Sequence, residues 1–238
     1  MQGSVFFLCA FSGVADFRQI IPFIKEKEGG LTGRPSDSAS SDPAPCGYDA
    51  KYDAPYHTNR GITWTTFKDN ADRLGYAPSC NNFLQMPDSI WEKIYKERFW
   101  DIIKADEINN QGIANAYVFW AWQSGRGGAR SLMRKMLSEQ YGVAPSEMDS
   151  NAKIVEQLNR QIKRDKKRLF DNMVRYREQF YYDIAPPGSS NQSSLRGWLN
   201  AWKSFTSQNA SFVSGSRWML PIAIMGIGAF VYLKFNRK

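Results

Sequence analysis

The sequence is poor in the side chains that build metal sites. It has one histidine, His57, and three cysteines, Cys9, Cys46 and Cys80. No two cysteines have the CxxC spacing, and one histidine cannot supply a multi-histidine centre, so we expect no metal and no cofactor. Three cysteines are also too few for a disulfide scaffold. Cys46 and Cys80 could form one bridge in an oxidising compartment, or all three could be free thiols.

Acidic residues are outnumbered by basic ones, 23 to 31, which gives a formal net charge of +8. This charge predicts an anionic partner: nucleic acid, phospholipid headgroups or an anionic cell-wall polymer. A dense basic stretch lies at 160–168, which could be a solvated helix face or an attraction site for such a polymer. No base-reading motif or stacking platform accompanies it, which argues against nucleic acid.

Long apolar runs are also scarce, and the longest uncharged one covers residues 218–233. As a helix it would span roughly 24 Å, with Trp218 and Tyr232 where interface aromatics are expected. We predict a transmembrane helix at 217–234 that contacts lipid through 218–233, after a linker at 204–216 and before a basic tail at 235–238. A buried core helix is the alternative. The N-terminal apolar run at 5–11 lacks a positive flank, so no cleaved signal peptide is predicted.

Most of the remaining chain has helical periodicity, which predicts a mainly α fold. Residues 17–28 place Phe17, Ile20, Ile21 and Ile24 on one face, and residues 149–181 predict a long helix. A glycine-rich break is expected at 125–128. Residues 31–61 are rich in Pro, Gly, Ser and Asp, and a short β-hairpin is predicted within 48–64.

The first helix ends on Glu28, followed by Gly29 and Gly30. The glycines explain why the helix stops, but a helix C-terminus favours a cation over an acid. A carboxylate held against the helix dipole is expected to have a raised pKa, which suits a general acid. The alternative is an ordinary solvated glutamate.

An ordered set of motifs places this glutamate in a wider pattern. The motifs are "FIKEKEGG", "SSDPAPCG", "TNRGITWTTF", "IWEKIYKERFWDII", "QSGRGGA" and "LRGWLNAW". Together they resemble the family-108 glycoside hydrolases, which are phage-type N-acetylmuramidases. The resemblance covers about residues 17–203, behind a lead-in at 1–16. It implies a lysozyme-like helical domain with a small β-hairpin region and a peptidoglycan-binding C-terminal part from about residue 130.

The resemblance also implies roles for particular residues. Glu28 aligns with the family's catalytic glutamate, and the T-N-x-G-I-T segment is matched by Thr58, Asn59, Gly61, Ile62 and Thr63. Asp42 and Pro43 match the start of a D-P-G-G loop, but the loop is expanded here and its double glycine is gone. Where the family often has an Asp and an Asn before "SG", this chain has "FWAWQSG".

A glycosidase needs a proton donor and a group that handles the attacking water. We expect Glu28 to be the acid. Asp42, Asp49 or Asp53 could position the water, and the hydroxyl of Thr58 or Thr63 could do so instead. Substrate-binding candidates are Tyr48, Tyr52, Tyr56 and Trp64, which could stack on sugar rings, and Asn59, which could hydrogen-bond an N-acetyl group.

The resemblance and the predicted transmembrane helix together predict a membrane-anchored phage peptidoglycan hydrolase that cleaves the β-1,4 bond between N-acetylmuramic acid and N-acetylglucosamine. The expected location is the virion membrane or the host inner membrane, with the catalytic domain facing the periplasm. Other virion or lysis proteins could be partners. A lytic transglycosylase using the same glutamate and a non-catalytic wall-binding or virion structural protein are the alternatives.

Overall fold

The computed structural model describes residues 14–214, and they form a mainly helical fold. Helices α1 (Ile21–Lys27), α2 (Trp64–Ala71), α3 (Cys80–Leu84) and α4 (Asp88–Tyr95) are short. They are followed by the long helices α5 (Gln111–Tyr141), α6 (Asn151–Ile184) and α7 (Gln192–Ser214). The predicted helical class with a small β region is confirmed for this part of the chain.

The β region consists of two-residue strands: β1 (Leu31–Thr32), β2 (Tyr48–Asp49), β3 (Ala54–Pro55), β4 (Thr58–Asn59) and β5 (Ile62–Thr63). Strands β2 and β3 form a hairpin, and β1, β4 and β5 form an antiparallel sheet in that order. The sheet register aligns Thr32, Thr58 and Thr63 in one row. Because side chains alternate between the faces of a sheet, the neighbouring row points to the other side, where Asn59 and Ile62 are buried.

The loop from β1 to β4 is held by a disulfide. Cys46 in this loop is bonded to Cys80, the first residue of α3. Of the two alternatives that the sequence left open for these cysteines, the bridge is the one formed. The bridge joins two positions that are 34 residues apart in sequence, and it therefore reduces the conformational freedom of the unfolded chain.

Helix α5 runs through the core. Its residues from Gln111 to Ala121 are all buried, as expected for a helix that is packed on every side. The glycine-rich break predicted at 125–128 is a kink confined to Gly125, whose φ of 68° and ψ of 163° suit glycine. The partly exposed residues Trp122, Gln123 and Ser124 lie between the buried half of the helix and this kink.

Helix α6 confirms the predicted long helix at 149–181 and is interrupted at Asp165. The Asp165 carboxylate accepts a hydrogen bond from the backbone N–H of Arg168 at 2.9 Å, so it caps the second half of the helix. Much of the basic stretch at 160–168 is exposed around this point.

Helix α7 joins the core through an aromatic cluster. Phe205 lies with its ring centroid 4.6 Å from that of Phe119 on α5 and 5.0 Å from that of Phe23 on α1. Residues 204–214 therefore continue α7, where the sequence predicted a linker from 204, because Phe205, Asn209 and Val213 recur at helical spacing and are buried.

The predicted fold class is corrected in one respect. Within residues 14–214, no helix is both long enough and apolar enough to cross a membrane. The membrane-anchored localisation was predicted from a transmembrane helix, so it loses its support as well. The segment to which the helix was assigned, 217–234, lies outside the described residues, as does the lead-in up to residue 13.

Candidate active site

A cleft of about 830 Å³ separates the small sheet from the long helices. One wall consists of Glu28, the residues that follow it into β1, Thr58, Gly61 and Thr63. The other wall comes from α5, α6 and α7. The helical wall contains Trp122, Gln123, Ser124, Arg177, Phe180, Tyr181, Ile184 and Trp198.

Glu28 is placed in the cleft by the end of α1. Its backbone N–H donates to the carbonyl of Ile24 at 2.9 Å, and its own ψ of 126° turns the chain from the helix into β1. The carboxylate atom Oε1 accepts a hydrogen bond from the indole Nε1 of Trp122 at 2.7 Å and another from the hydroxyl of Tyr95. Tyr95 is the last residue of α4, before a π-helical turn over Lys96–Trp100.

Gly61, in the turn between β4 and β5, packs directly against the Glu28 carboxyl group. A Cβ atom on Gly61 would lie 2.2 Å from Oε1 and 2.5 Å from Oε2 of Glu28. Gly61 also has a φ of 76°, which other residues rarely adopt. The glycine of the T-N-x-G-I-T segment is therefore needed for two reasons. It can adopt the backbone conformation of the turn, and it leaves space for the Glu28 carboxyl group.

Burial raises the pKa of Glu28 above its usual value of 4.5, and the hydrogen bonds from Tyr95 and Trp122 oppose the rise. The sequence predicted this direction from the helix dipole and from burial among aromatic residues, and burial is the largest cause in the structure. Burial and the nearby Glu28 charge raise the pKa of Tyr95 well above 10, so its hydroxyl keeps its proton and remains a donor.

The raised pKa of Glu28 predicts a pH-dependent difference in stability between the wild type and Glu28→Gln. A raised pKa in the folded state means that the folded chain holds the proton more tightly than the unfolded chain. The contribution of the protonated acid is therefore complete below about pH 4.5. It is lost as the pH rises through the folded-state pKa. Thermal unfolding at a series of pH values should show the wild type losing stability relative to Glu28→Gln across this window, and parallel curves would contradict the assignment.

The predicted second carboxylates are placed differently by the structure. Asp49 lines the cleft, but its Oδ2 accepts from the backbone N–H of Gly33 at 2.8 Å and its Oδ1 from that of Lys51 at 3.1 Å. Asp42 lies outside the cleft lining, where it accepts from the Thr65 hydroxyl and pairs with Lys68. Asp53 accepts from the Tyr48 hydroxyl in an exposed loop.

Asp37 is a carboxylate of the cleft that sequence reasoning did not single out. It precedes a short 3₁₀ turn, is exposed, and has no motif around it that distinguishes it from other loop acids.

Thr58 and Thr63 both line the cleft and differ in their hydrogen bonds. Thr63 caps α2: its Oγ1 accepts from the backbone N–H of Thr66 and donates to the Thr66 hydroxyl. Thr58 Oγ1 lies 2.8 Å from Nδ1 of His57, whose Nε2 is 3.0 Å from the carbonyl oxygen of Arg34. Since a carbonyl only accepts, Nε2 carries the proton in the neutral imidazole, and Nδ1 accepts from Thr58. Both lone pairs of the Thr58 hydroxyl then remain available.

The predicted substrate-binding aromatic residues are mostly outside the cleft. Trp64 is buried against Phe67 and Phe83, and Asn59 is buried with its amide donating to the carbonyl of Phe83 at 2.6 Å. These two residues support the fold. Tyr48, which is 54% exposed, and Tyr56 do not line the cleft, whereas Tyr52 does.

The aromatic residues of the helical wall were missed by sequence reasoning. Trp122 lies in "FWAWQSG", the segment that departs from the family pattern, and its indole is the group that reaches Glu28. Trp198 lies in "LRGWLNAW", and its ring stacks on that of Tyr181 with centroids 5.7 Å apart. Their segments were noted, but the convergence of α5, α6 and α7 on one cleft could not be read from them.

Comparisons with known proteins concern the family and the fold of this chain. Residues 21–125 match the model of the family described as Glycosyl hydrolase 108, which confirms the predicted resemblance over this part of the chain and supports the glycoside hydrolase class. The solved structure titled "Structure of Brucella abortus SagA" superposes with a TM-score of 0.54 at 20% sequence identity, over 84% of this chain and 97% of that chain. This likeness concerns the fold. No curated protein matches the chain.

Proposed function

We infer that this chain, in which residues 21–125 carry the glycosyl hydrolase 108 pattern, cleaves the β-1,4 bond between N-acetylmuramic acid and N-acetylglucosamine in peptidoglycan. The observation that carries the proposal is the Glu28 carboxyl group in the cleft, with a pKa raised by burial and two donors on one oxygen. A carboxylic acid that keeps its proton is what the leaving oxygen of a glycoside requires.

In this proposal the two oxygens of Glu28 have different tasks. Oε1 accepts from Tyr95 and Trp122, so the proton is carried by Oε2, for which no donor is found among the described residues. Oε2 delivers this proton to the glycosidic oxygen as the bond to the anomeric carbon breaks. The two donors then stabilise the carboxylate that remains.

Thr58 is the group best suited to hold the attacking water. Its hydroxyl donates to His57 and keeps two lone pairs, which can accept hydrogen bonds from a water in the cleft. Asp49, whose oxygens each accept a backbone N–H, shapes the loop beside it. Attack by this water on the anomeric carbon forms the new reducing end and releases one proton to solvent, and the Glu28 carboxylate takes up a proton from solvent to complete the cycle. The phage and virion setting stays a prediction.

Incubation of the full chain with purified peptidoglycan tests the proposal. We expect soluble fragments and new reducing ends in step with each other. Fragments with 1,6-anhydro ends and no new reducing ends would support the transglycosylase alternative. A chain that pellets with the wall and releases no fragments would support the non-catalytic binding alternative.

A further inference from the structure

The helical wall of the cleft contains a buried cation, Arg177, for which residues 14–214 supply no counter-ion. Arg177 on α6 is 1% exposed, and its guanidinium lies 4.9 Å and 4.6 Å from the ring centroids of Phe180 and Tyr181. Its Nη1 donates to the hydroxyl of Ser124 at 2.6 Å, and its Nη2 donates to the amide oxygen of Gln123 at 3.2 Å. All of these partners are neutral, and no acid of residues 14–214 forms an ion pair with Arg177.

An unpaired buried charge is costly, so such groups are normally matched by an opposite charge. Burial lowers the pKa of Arg177, and the Tyr181 side chain opposes this change. The Nε atom of Arg177 is buried and has no hydrogen-bond partner among the described residues. Within the described residues, the fold therefore places a positive charge behind the cleft and supplies no anion to balance it.

Ser124 and Gln123, which accept hydrogen bonds from Arg177, also line the cleft. Ser124 accepts from Arg177 with its oxygen, so its own hydroxyl proton can be donated to another group. Gln123 accepts from both Arg177 and Tyr181 with its amide oxygen, so its NH₂ group is free to donate. Both side chains are partly exposed and line the cleft, with the guanidinium behind them.

We propose that Gln123 and Ser124, backed by Arg177, form a subsite for a carboxylate of the substrate. This proposal rests on the proposed function, because the peptide stems of peptidoglycan carry free carboxylates. Arg177 acts here as a positioning residue: it orients the two donors and supplies the charge, while Gln123 and Ser124 contact the anion. The stacked rings of Tyr181 and Trp198 lie beside this subsite and offer a flat face to an adjoining sugar.

The test compares two forms of one substrate: glycan fragments with native stems, and the same fragments whose stem carboxylates have been converted to neutral amides. For the full-length wild type, we expect amidation to raise KM about tenfold, the value of a charge-assisted contact, with little change in kcat. Arg177→Met and Ser124→Ala should raise KM for the native fragments about as much, and neither should change KM for the amidated ones. Arg177→Lys should restore part of the difference.

Lys163→Met is the matched control, because it removes one exposed positive charge from the same helix outside the cleft. It should leave both KM values unchanged. If Arg177→Met raised KM equally for native and amidated fragments, Arg177 would have only a structural role. If the wild type had the same KM for both fragments, the subsite would be overturned. Binding of both fragments is measured in parallel by fluorescence anisotropy. A chain that prefers the native fragment but cleaves neither would refute the hydrolysis and retain the carboxylate subsite.

Discussion

Replacement of Glu28 by glutamine is expected to lower kcat for peptidoglycan cleavage by about 10²–10⁴-fold, the usual contribution of a positioned general acid. Glutamine has nearly the same shape, and its amide oxygen can still accept the hydrogen bonds of Tyr95 and Trp122. The variant should therefore fold and bind the substrate, and it lacks only the proton. Release of reducing ends from purified peptidoglycan measures the effect.

The matched control for this substitution is Glu26→Gln. Glu26 is an exposed acid two residues earlier on α1, where it pairs with Lys27, and it does not line the cleft. It should retain wild-type activity. If Glu28→Gln kept more than a tenth of the wild-type rate, or if both variants lost activity equally, Glu28 would not be the proton donor.

Gly61→Ala is expected to lower kcat about 10²-fold although Gly61 itself takes no part in the reaction. The new Cβ would lie 2.2 Å from Oε1 of Glu28, so the carboxyl group must move away from Tyr95 and Trp122. A displacement of about 1 Å at a reacting group costs about this much in rate. The substitution also forces alanine into a left-handed conformation, which lowers the free energy of unfolding by about 1–2 kcal/mol.

Gly75→Ala separates the two effects of the Gly61 substitution. Gly75 has a φ of 70°, but its Cβ would meet no atom within 4 Å. We expect Gly75→Ala to lose a similar amount of stability in a thermal melt and to keep its activity. If the two alanine variants lost activity to the same extent, the contact between Gly61 and Glu28 would have no part in catalysis.

The site was predictable from sequence where local chemistry marks it. Glu28 is such a case, since an acid between a helix end and two glycines has no simple structural explanation. Gly61 is another, because it lies in the T-N-x-G-I-T segment. Tyr95 lies in the motif "IWEKIYKERFWDII", and nothing in that motif distinguishes it from the other residues. Its contact with Glu28 spans 67 positions of the chain and depends on how α4 packs beside α1.

The helical half of the cleft was less predictable. The sequence indicated α6 by its apolar period and its basic face, but Arg177 is one of many arginines, and only burial distinguishes it. The C-terminal part was expected to bind peptidoglycan, and its helices supply much of one wall of the cleft beside Glu28. Residues 204–214, which were predicted to belong to a linker, are part of α7 because hydrophobic residues there continue its helical spacing.

The most direct test of the account is cleavage of peptidoglycan by the full chain in isotopically labelled water, with mass spectrometry of the fragments. We expect wild-type fragments to gain one labelled oxygen at the new reducing end, and we expect Glu28→Gln to release almost no fragments. Fragments lighter by one water and without label would contradict it, because the glutamate would then act without the water that the account assigns to Thr58.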